Sequence, residues 1–523
     1  MKFDLGLFDN PYTDTTLVAK KLHSSEHREL AYEAARSSIV LLKNDNQTLP
    51  FKKDVKRIAV IGQLANIGLT GGYAPKETHV TTILEALKKR FGQSVEIEWL
   101  NSDISPNFTT IPTTALRRVR GEGNGLDVDY FNNINLSGAP VYSTVEPTIS
   151  HYWHNLSPAP GVNTEPFSAR FSGSIHVTAT GVYEINLIAN NYGRIYLDGK
   201  LILDNWSDKL TEVTTNTEVF LEKGREYPIV SEFGKVSDFA GQRAKWRFVG
   251  GTSLPELNRK TTMESSKADL VVVVIGESED EVGENRDRTD LRLHDIDVNL
   301  VKAAVASGKP VATVLLNGRP LILNEINDIC PAIIEAWLPG ECSGDAIVDV
   351  LFGDCNPSGK LTVSFPRSMG QLPVYYSRKP SALRTAIDGK PDPLYPFGHG
   401  LSYTDFEYSN LSLTPDKPTV NSTITVSLDV RNTGKVAGTE VVQLYINDVV
   451  SSVTTPVKLL KGFSRLTLQP GEKKRVEMVL TPEHLSLLDI DMKRVVEPGD
   501  FEIMVGSSSE DIRLQTRINV VEK

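Results

Sequence analysis

A chain of 523 residues is too long for one hydrophobic core, since cores stop growing at roughly 250–300 residues, so about three domains are expected. Hydrophobic residues at 40% and charged residues at 23% exclude a disordered or fibrous chain. A formal charge of −10 argues against nucleic acid or an anionic membrane as partner, because both require a basic face.

Cys330, Cys342 and Cys355 show neither Cys-x-x-Cys nor Cys/His spacing, so neither a disulfide framework nor a metal site is expected of them. No apolar run approaches the ~20 residues of a membrane span, and the stretch after Met1 has no signal-peptide pattern. The compartment stays open.

In chain order, RIAVIG (Arg57 to Gly62) is a short buried-strand run, HVTTILEALKKR (His79 to Arg90) has helical apolar spacing, and VEIEWL (Val95 to Leu100) reads as the next strand. From about residue 119 to 251 the character changes to alternating strands separated by Gly, Asn and Asp turns, among them SARFSGSIHV, GVYEINLIA and GRIYLDGKLIL. This predicts a β-sandwich inserted into an α/β domain. The α/β pattern resumes with ADLVVVVIG, DIDVNLVKAAVASG, KPVATVLLNG, PAIIEAWLP and SGDAIVDVLFG. Such continuous apolar strands with intervening helices imply a mostly parallel sheet covered on both faces. A connector over 376–400 leads to a last domain, 401–523, whose regular short strands predict an immunoglobulin-like sandwich.

Together GLFDNPY (Gly6 to Tyr12), AYEAARSSIVLLKNDNQTLPF (Ala31 to Phe51), NGRP (Asn317 to Pro320), AWLPGECSGDAIVDVLFGDCNPSGKLTVSFP (Ala336 to Pro366) and YPFGHGLSYTDFEY (Tyr395 to Tyr408) resemble the signatures of glycoside hydrolase family three, the β-glucosidases and β-xylosidases. The resemblance implies an α/β sandwich domain with a six-stranded sheet over 31–118 and 252–375, preceded by a linker over 1–30 like the segment that leaves the family's barrel. It also implies a fibronectin type III-like domain at the C-terminus. The insertion, 119–251, resembles a protective-antigen-like module through GLDVDYF, FSARFSG and NYGRIYLDGKLILDNW; in members that carry it, this module helps form the outer sugar subsite. Related sugar-binding modules hold calcium with a paired Asp-Asp. Asn190-Asn191 stands here instead, and a hard cation prefers carboxylates, so no metal is expected, and no cofactor.

The chemistry of the family uses two carboxyl groups roughly 5–5.5 Å apart, one a nucleophile and one an acid/base. The stretch VVVVIGESEDEVGENRDRTDLRL joins a buried strand to a loop with the acids Glu277, Glu279, Asp280, Glu281, Glu284 and Asp287. Similarity of GENRDRTDL to the family's acid/base loop implies Glu284 in that role, with Glu281 the alternative if the register slips. The carboxyl end of a parallel strand is where open α/β sheets present ligand groups. The competing reading is a solvated acidic loop. Arg288 could touch sugar or hold the loop by ion pairing together with Asp287.

Other candidates stay open in the same way. Trp153, in His151-Tyr152-Trp153-His154, is either a sugar-stacking ring or a sandwich core residue. Gly71-Gly72-Tyr73 either borders the sugar or forms a plain turn, and Trp337 with Glu341 either reaches the cleft or sits at a domain seam. His399 is expected to pack.

The resemblance also implies what to expect upstream. A barrel of ~250 residues does not fit before residue 31, and no Ser-Asp-Trp nucleophile string occurs; Val236-Ser237-Asp238-Phe239 is the nearest and reads as a turn. The expectation is the non-barrel portion of a retaining β-glucosidase-like enzyme acting on oligosaccharides or glycosides, inactive without a barrel supplied by another polypeptide or by a longer gene product. A β-xylosidase is the rival within the family, and a non-catalytic carbohydrate-binding protein the rival outside it.

Overall fold

The computed structural model describes the chain except for residues 13, 23, 72, 75–78, 102–107, 154–155, 207–211, 237–239, 251–253, 280, 381–391 and 523. Gly72, Asp280, His154 and Ser237 to Phe239 therefore lie outside the described residues. Two compact units are present, one of Met1–Leu100 with Lys260–Lys523 and one of Asn101–Arg259.

In the first unit, six strands form one sheet in the order Val40–Asn44, Ala332–Glu335, Val311–Leu316, Leu270–Gly276, Arg57–Ile61, Glu96–Leu100. All neighbours are parallel except Val40–Asn44, which runs antiparallel on the edge. Every residue of Leu270–Gly276 is buried, which is why the sequence shows an unbroken apolar run rather than alternation. Leu270, Val272 and Val274 pack into a core with Leu84 and Leu87 of the helix Ile83–Phe91 and with Ile347, Val350 and Leu351 of the helix Ser343–Phe352. Val271, Val273 and Ile275 are equally buried outside that cluster, and the helix Asp295–Val305 packs against the same strand. Both faces of the sheet are thus covered.

The helix read from His79 starts later, at Ile83. Thr82 is its N-cap: the Thr82 hydroxyl accepts the Glu85 N–H at 3.2 Å and the Glu85 carboxylate accepts the Thr82 N–H at 2.9 Å. A reciprocal capping box outweighs the apolar periodicity that extends upstream of it. Thr82→Ala is expected to lower the stability of the first unit by about 1 kcal/mol, measured as a shift in urea midpoint; an unchanged midpoint would remove the cap from the account.

The second unit is a pair of antiparallel sheets. The five-stranded sheet runs Glu212–Leu221, Gly181–Asn190, Ala240–Gly250, Thr109–Thr110, with Ser150–Trp153 also on Ala240–Gly250. The seven-stranded sheet runs Lys200–Asn205, Tyr192–Leu197, Glu226–Lys235, Phe167–His176, Leu126–Phe131, Tyr142–Glu146, with Leu116–Arg118 also on Phe167–His176. Phe171, Ile185, Leu187, Ile195 and Phe233 fill the space between them. Thr109–Thr110 and Leu116–Arg118 precede the expected start at residue 119 yet pair into these sheets. Two- and three-residue strands carry too little periodicity to be read in advance.

Back in the first unit, the C-terminal strands form a three-stranded sheet, Phe406–Thr414, Ile424–Asn432, Lys473–Leu480, and a four-stranded one, Leu459–Leu468, Gly438–Asp448, Gly499–Gly506, Ile512–Val520. Val426, Leu428, Leu444, Phe501 and Ile503 form their shared core, as the inward positions of a sandwich do.

Candidate active-site loop

The loop 277–294 leaves the carboxyl end of the central strand Leu270–Gly276, where crevices form in parallel sheets. Gly276 has φ of +141°, and a Cβ there would lie 2.0 Å from the Leu316 carbonyl oxygen. Only glycine lets the chain turn away so close to the next strand.

The first acid after the turn is the best buried. Glu277 is 0% exposed, with Arg288 Nη1 at 2.9 Å and Arg319 Nε at 3.1 Å from one oxygen and the Gly318 N–H donating to the other at 3.2 Å. A buried carboxylate is tolerated when it is paired and hydrogen-bonded. The two guanidinium groups then reach outward to the backbone of the loop. Arg319 donates to the carbonyls of Arg286 and Glu281, and Arg288 to that of Arg292. One hidden carboxylate thereby fixes three points along the acidic loop.

Glu281 is also turned inward. Its carboxylate accepts the N–H and hydroxyl of Ser278 at 2.9 and 3.1 Å and faces His294 Nε2 at 2.8 Å. Burial pushes this carboxyl up, but His294, Ser278 and Arg288 together hold it below its ordinary value. The hydrogen bond to Glu281 raises His294 in return. Beneath them Asp297, in the first turn of the helix Asp295–Val305, is pushed by burial to about 7.

Glu284 differs from both. It is exposed at the tip of the loop, Asn285 beside it takes φ of +58°, and its carboxylate is hydrogen-bonded by the Tyr73 hydroxyl. Tyr73 is itself 81% exposed. The structure therefore brings Tyr73 and Glu284 together and turns Glu281 inward. The Arg288 guanidinium is committed to Glu277 and the Arg292 carbonyl. Arg288 thus holds the loop by ion pairing, and its carboxylate partner is a buried residue eleven positions earlier.

Burial separates the neighbouring aromatic residues of the insertion. Trp153 is 8% exposed, stacked on His151 at 5.0 Å and met edge-on by Phe167 at 5.4 Å; its face is spent in the core, which corrects the sugar-stacking role. Tyr152 next to it is 52% exposed. The Asn191 side-chain oxygen accepts the Val236 N–H at 3.0 Å. Trp337 lies two residues beyond the strand Ala332–Glu335 with φ of +58°, its ring 5.8 Å from Phe365. His399 Nε2 lies 2.9 Å from the Leu42 carbonyl, as a packing residue would.

Missed in the sequence was Glu335, at the end of the strand Ala332–Glu335. It is fully buried, accepting the Trp337 N–H at 2.9 Å and the Asn317 amide at 3.1 Å. Burial pushes its carboxyl up to about 8, with Glu277 adding to the rise. The signal available was a lone acid closing an otherwise apolar run.

Comparison with known proteins agrees with this arrangement of strands and loops. The Glycosyl hydrolase family 3 C-terminal domain matches residues 39–403, and a Fibronectin type III-like domain matches residues 440–509. A beta-xylosidase of Formosa agariphila is 32% identical over 98% of this chain and 53% of its own length. A periplasmic beta-glucosidase of Salmonella typhimurium is 43% identical over 48% of this chain and 34% of its own. Among solved structures, a beta-glucosidase from Kluyveromyces marxianus in complex with glucose aligns with a TM-score of 0.74 at 27% identity, over 95% of this chain and 63% of that one. The chain belongs to glycoside hydrolase family 3. It spans less than two thirds of the length of each of these relatives.

Proposed function

We propose that this chain carries the acid/base half of a retaining exo-glycosidase that removes terminal β-linked sugars from oligosaccharides or glycosides. In this reading Glu284 protonates the departing oxygen and then activates water, while the nucleophilic carboxylate belongs to a barrel on the same or another polypeptide. The observation that carries it is the contrast within one loop: Glu277 and Glu281 are turned inward and tied, whereas Glu284 is held outward by Tyr73. A proton donor must reach substrate while its backbone stays fixed, because misplacement by about 1 Å costs orders of magnitude in rate.

Two further observations support the reading. Matched relatives bear the names beta-glucosidase and beta-xylosidase, and matched solved structures are beta-glucosidases with glucose bound, so a glucoside is the first choice of substrate and a xyloside the alternative. Phe3, Phe8 and Tyr12 are 82%, 65% and 84% exposed, an apolar stretch suited to packing against a barrel.

With a barrel supplied, Glu284→Gln is expected to slow hydrolysis of alkyl β-glucosides and β-xylosides by about 10²–10⁴-fold. For dinitrophenyl glycosides, whose leaving group departs without a proton, kcat/KM should fall far less, while kcat still drops because the second step loses its base. Equal losses of kcat/KM on both classes, or no loss, would remove Glu284 from the role.

A further inference from the structure

A cavity lies in the first unit, away from the acidic loop, where the α/β domain meets the C-terminal sandwich. Its volume is ≈ 590 Å³, and Lys360, His399, Phe406, Tyr408, Glu440 and Arg513 are among the residues that line it. That size is within the range of small-molecule sites, about 300–1,000 Å³.

The polar groups in it are under-used. Lys360 Nζ donates to the Gly400 carbonyl at 2.7 Å, and its carboxylate neighbour, Glu440 Oε1, is 3.9 Å away, beyond hydrogen-bond reach. An ammonium has three donors, yet among the described residues Lys360 makes only that one hydrogen bond. Glu440 is 3% exposed and accepts the Tyr408 hydroxyl at 2.8 Å on the same oxygen that faces Lys360. Burial pushes the Lys360 ammonium down, and Glu440 offsets part of that. Two buried charges that nearly touch leave room for a group that accepts from one and donates to the other.

Charge decides what that group is. Lys360 and Arg513 face Asp405, Glu407, Glu440 and Asp511 around the cavity, so the wall carries an excess of negative charge that disfavours an anion. The Arg513 guanidinium is occupied by Asp511 at 2.9 Å and by the Phe406 carbonyl at 2.6 Å, and it covers one face of the Tyr408 ring at 4.9 Å. The half-buried Phe406 ring is apolar surface beside the polar pair. A hydroxyl both donates and accepts, so a neutral polyol with an apolar face matches this wall.

We propose that this seam cavity binds a neutral mono- or disaccharide whose adjacent hydroxyls bridge Lys360 and Glu440, with Phe406 against its carbon face. This site is independent of the acid/base reading, since the loop 277–294 contributes nothing to its lining.

The test is titration of the intact chain with D-glucose, D-xylose and cellobiose, with glycerol as control polyol, together with soaked crystals of the unaltered protein. The expected result is sugar seated against Lys360 and Glu440, with saturable binding weakened at least tenfold by Glu440→Gln and by Lys360→Met. Should either variant fail to fold, Phe406→Ala, which leaves the buried charges in place, is expected to weaken binding by a similar factor. A cavity holding only water, sugar found solely elsewhere on the chain, or glycerol bound as tightly as glucose would each overturn the proposal.

Discussion

Glu277→Ala is expected to destabilise the first unit by about 3–5 kcal/mol, the cost of leaving buried charges without their partner. Both Arg288 and Arg319 lean on this carboxylate from side chains only 17% and 20% exposed, so alanine strands two cations. The same substitution frees the three backbone points that the guanidiniums hold, so the amides of residues 281–292 should lose hydrogen-exchange protection beyond the global change. Glu277→Gln keeps the shape and one acceptor and should cost less. Denaturant unfolding of the three proteins reads the order; an alanine variant within about 1 kcal/mol of the parent would mean that the ion network does not hold the loop.

Glu335→Gln should have the opposite effect, growing as pH rises above about 4.5. The carboxyl sits near 8 in the folded protein against an ordinary value of 4.5, so between those limits the folded state holds a proton that the unfolded chain has released. Stability therefore falls as pH rises from about 4.5 to about 8 and is level outside that window. Each pH unit inside it costs up to about 1.4 kcal/mol, which sums to a few kcal/mol by pH 8. Glutamine mimics the protonated acid and removes this dependence, so the variant should match the parent near pH 4.5 and exceed it by a few kcal/mol at pH 8.5. Asp297, near 7, contributes in the same direction and leaves a residual slope in both proteins. A parent and variant with parallel stability curves across that window would show that Glu335 is ionised in the folded protein.

The contrast between these two acids shows what the sequence could and could not carry. The parallel sheet was legible because strands covered on both faces, such as Leu270–Gly276, are apolar at every position, and the insertion was legible because its long strands alternate. Glu284 stood out through its family-like surroundings, and it stands exposed beside Tyr73. Glu277 was one acid among six in a stretch that reads as solvated, yet among the described residues it is the fully hidden one. Its burial depends on Arg319, which arrives from beyond the next strand, and no local pattern records such a partner. Trp153 shows the converse: aromatic residues in a row suggest a sugar platform, but strand alternation sends Trp153 inward and Tyr152 outward.

Interruption of the α/β sheet by the insertion also dictates an order of assembly. The Arg57 N–H donates to the Asp269 carboxylate, a contact 212 residues apart in sequence, and Arg57–Ile61 pairs with Leu270–Gly276 at the same place. At roughly 5–20 residues per second, a ribosome needs about 10–40 s to make that interval. Throughout it, Arg57–Ile61 has emerged while its central partner does not yet exist, whereas the inserted sandwich can complete its own pairings. The α/β sheet thus closes only after the insertion is complete, with a waiting apolar edge during synthesis, and conditions that slow translation should increase its aggregation more than they affect the insertion.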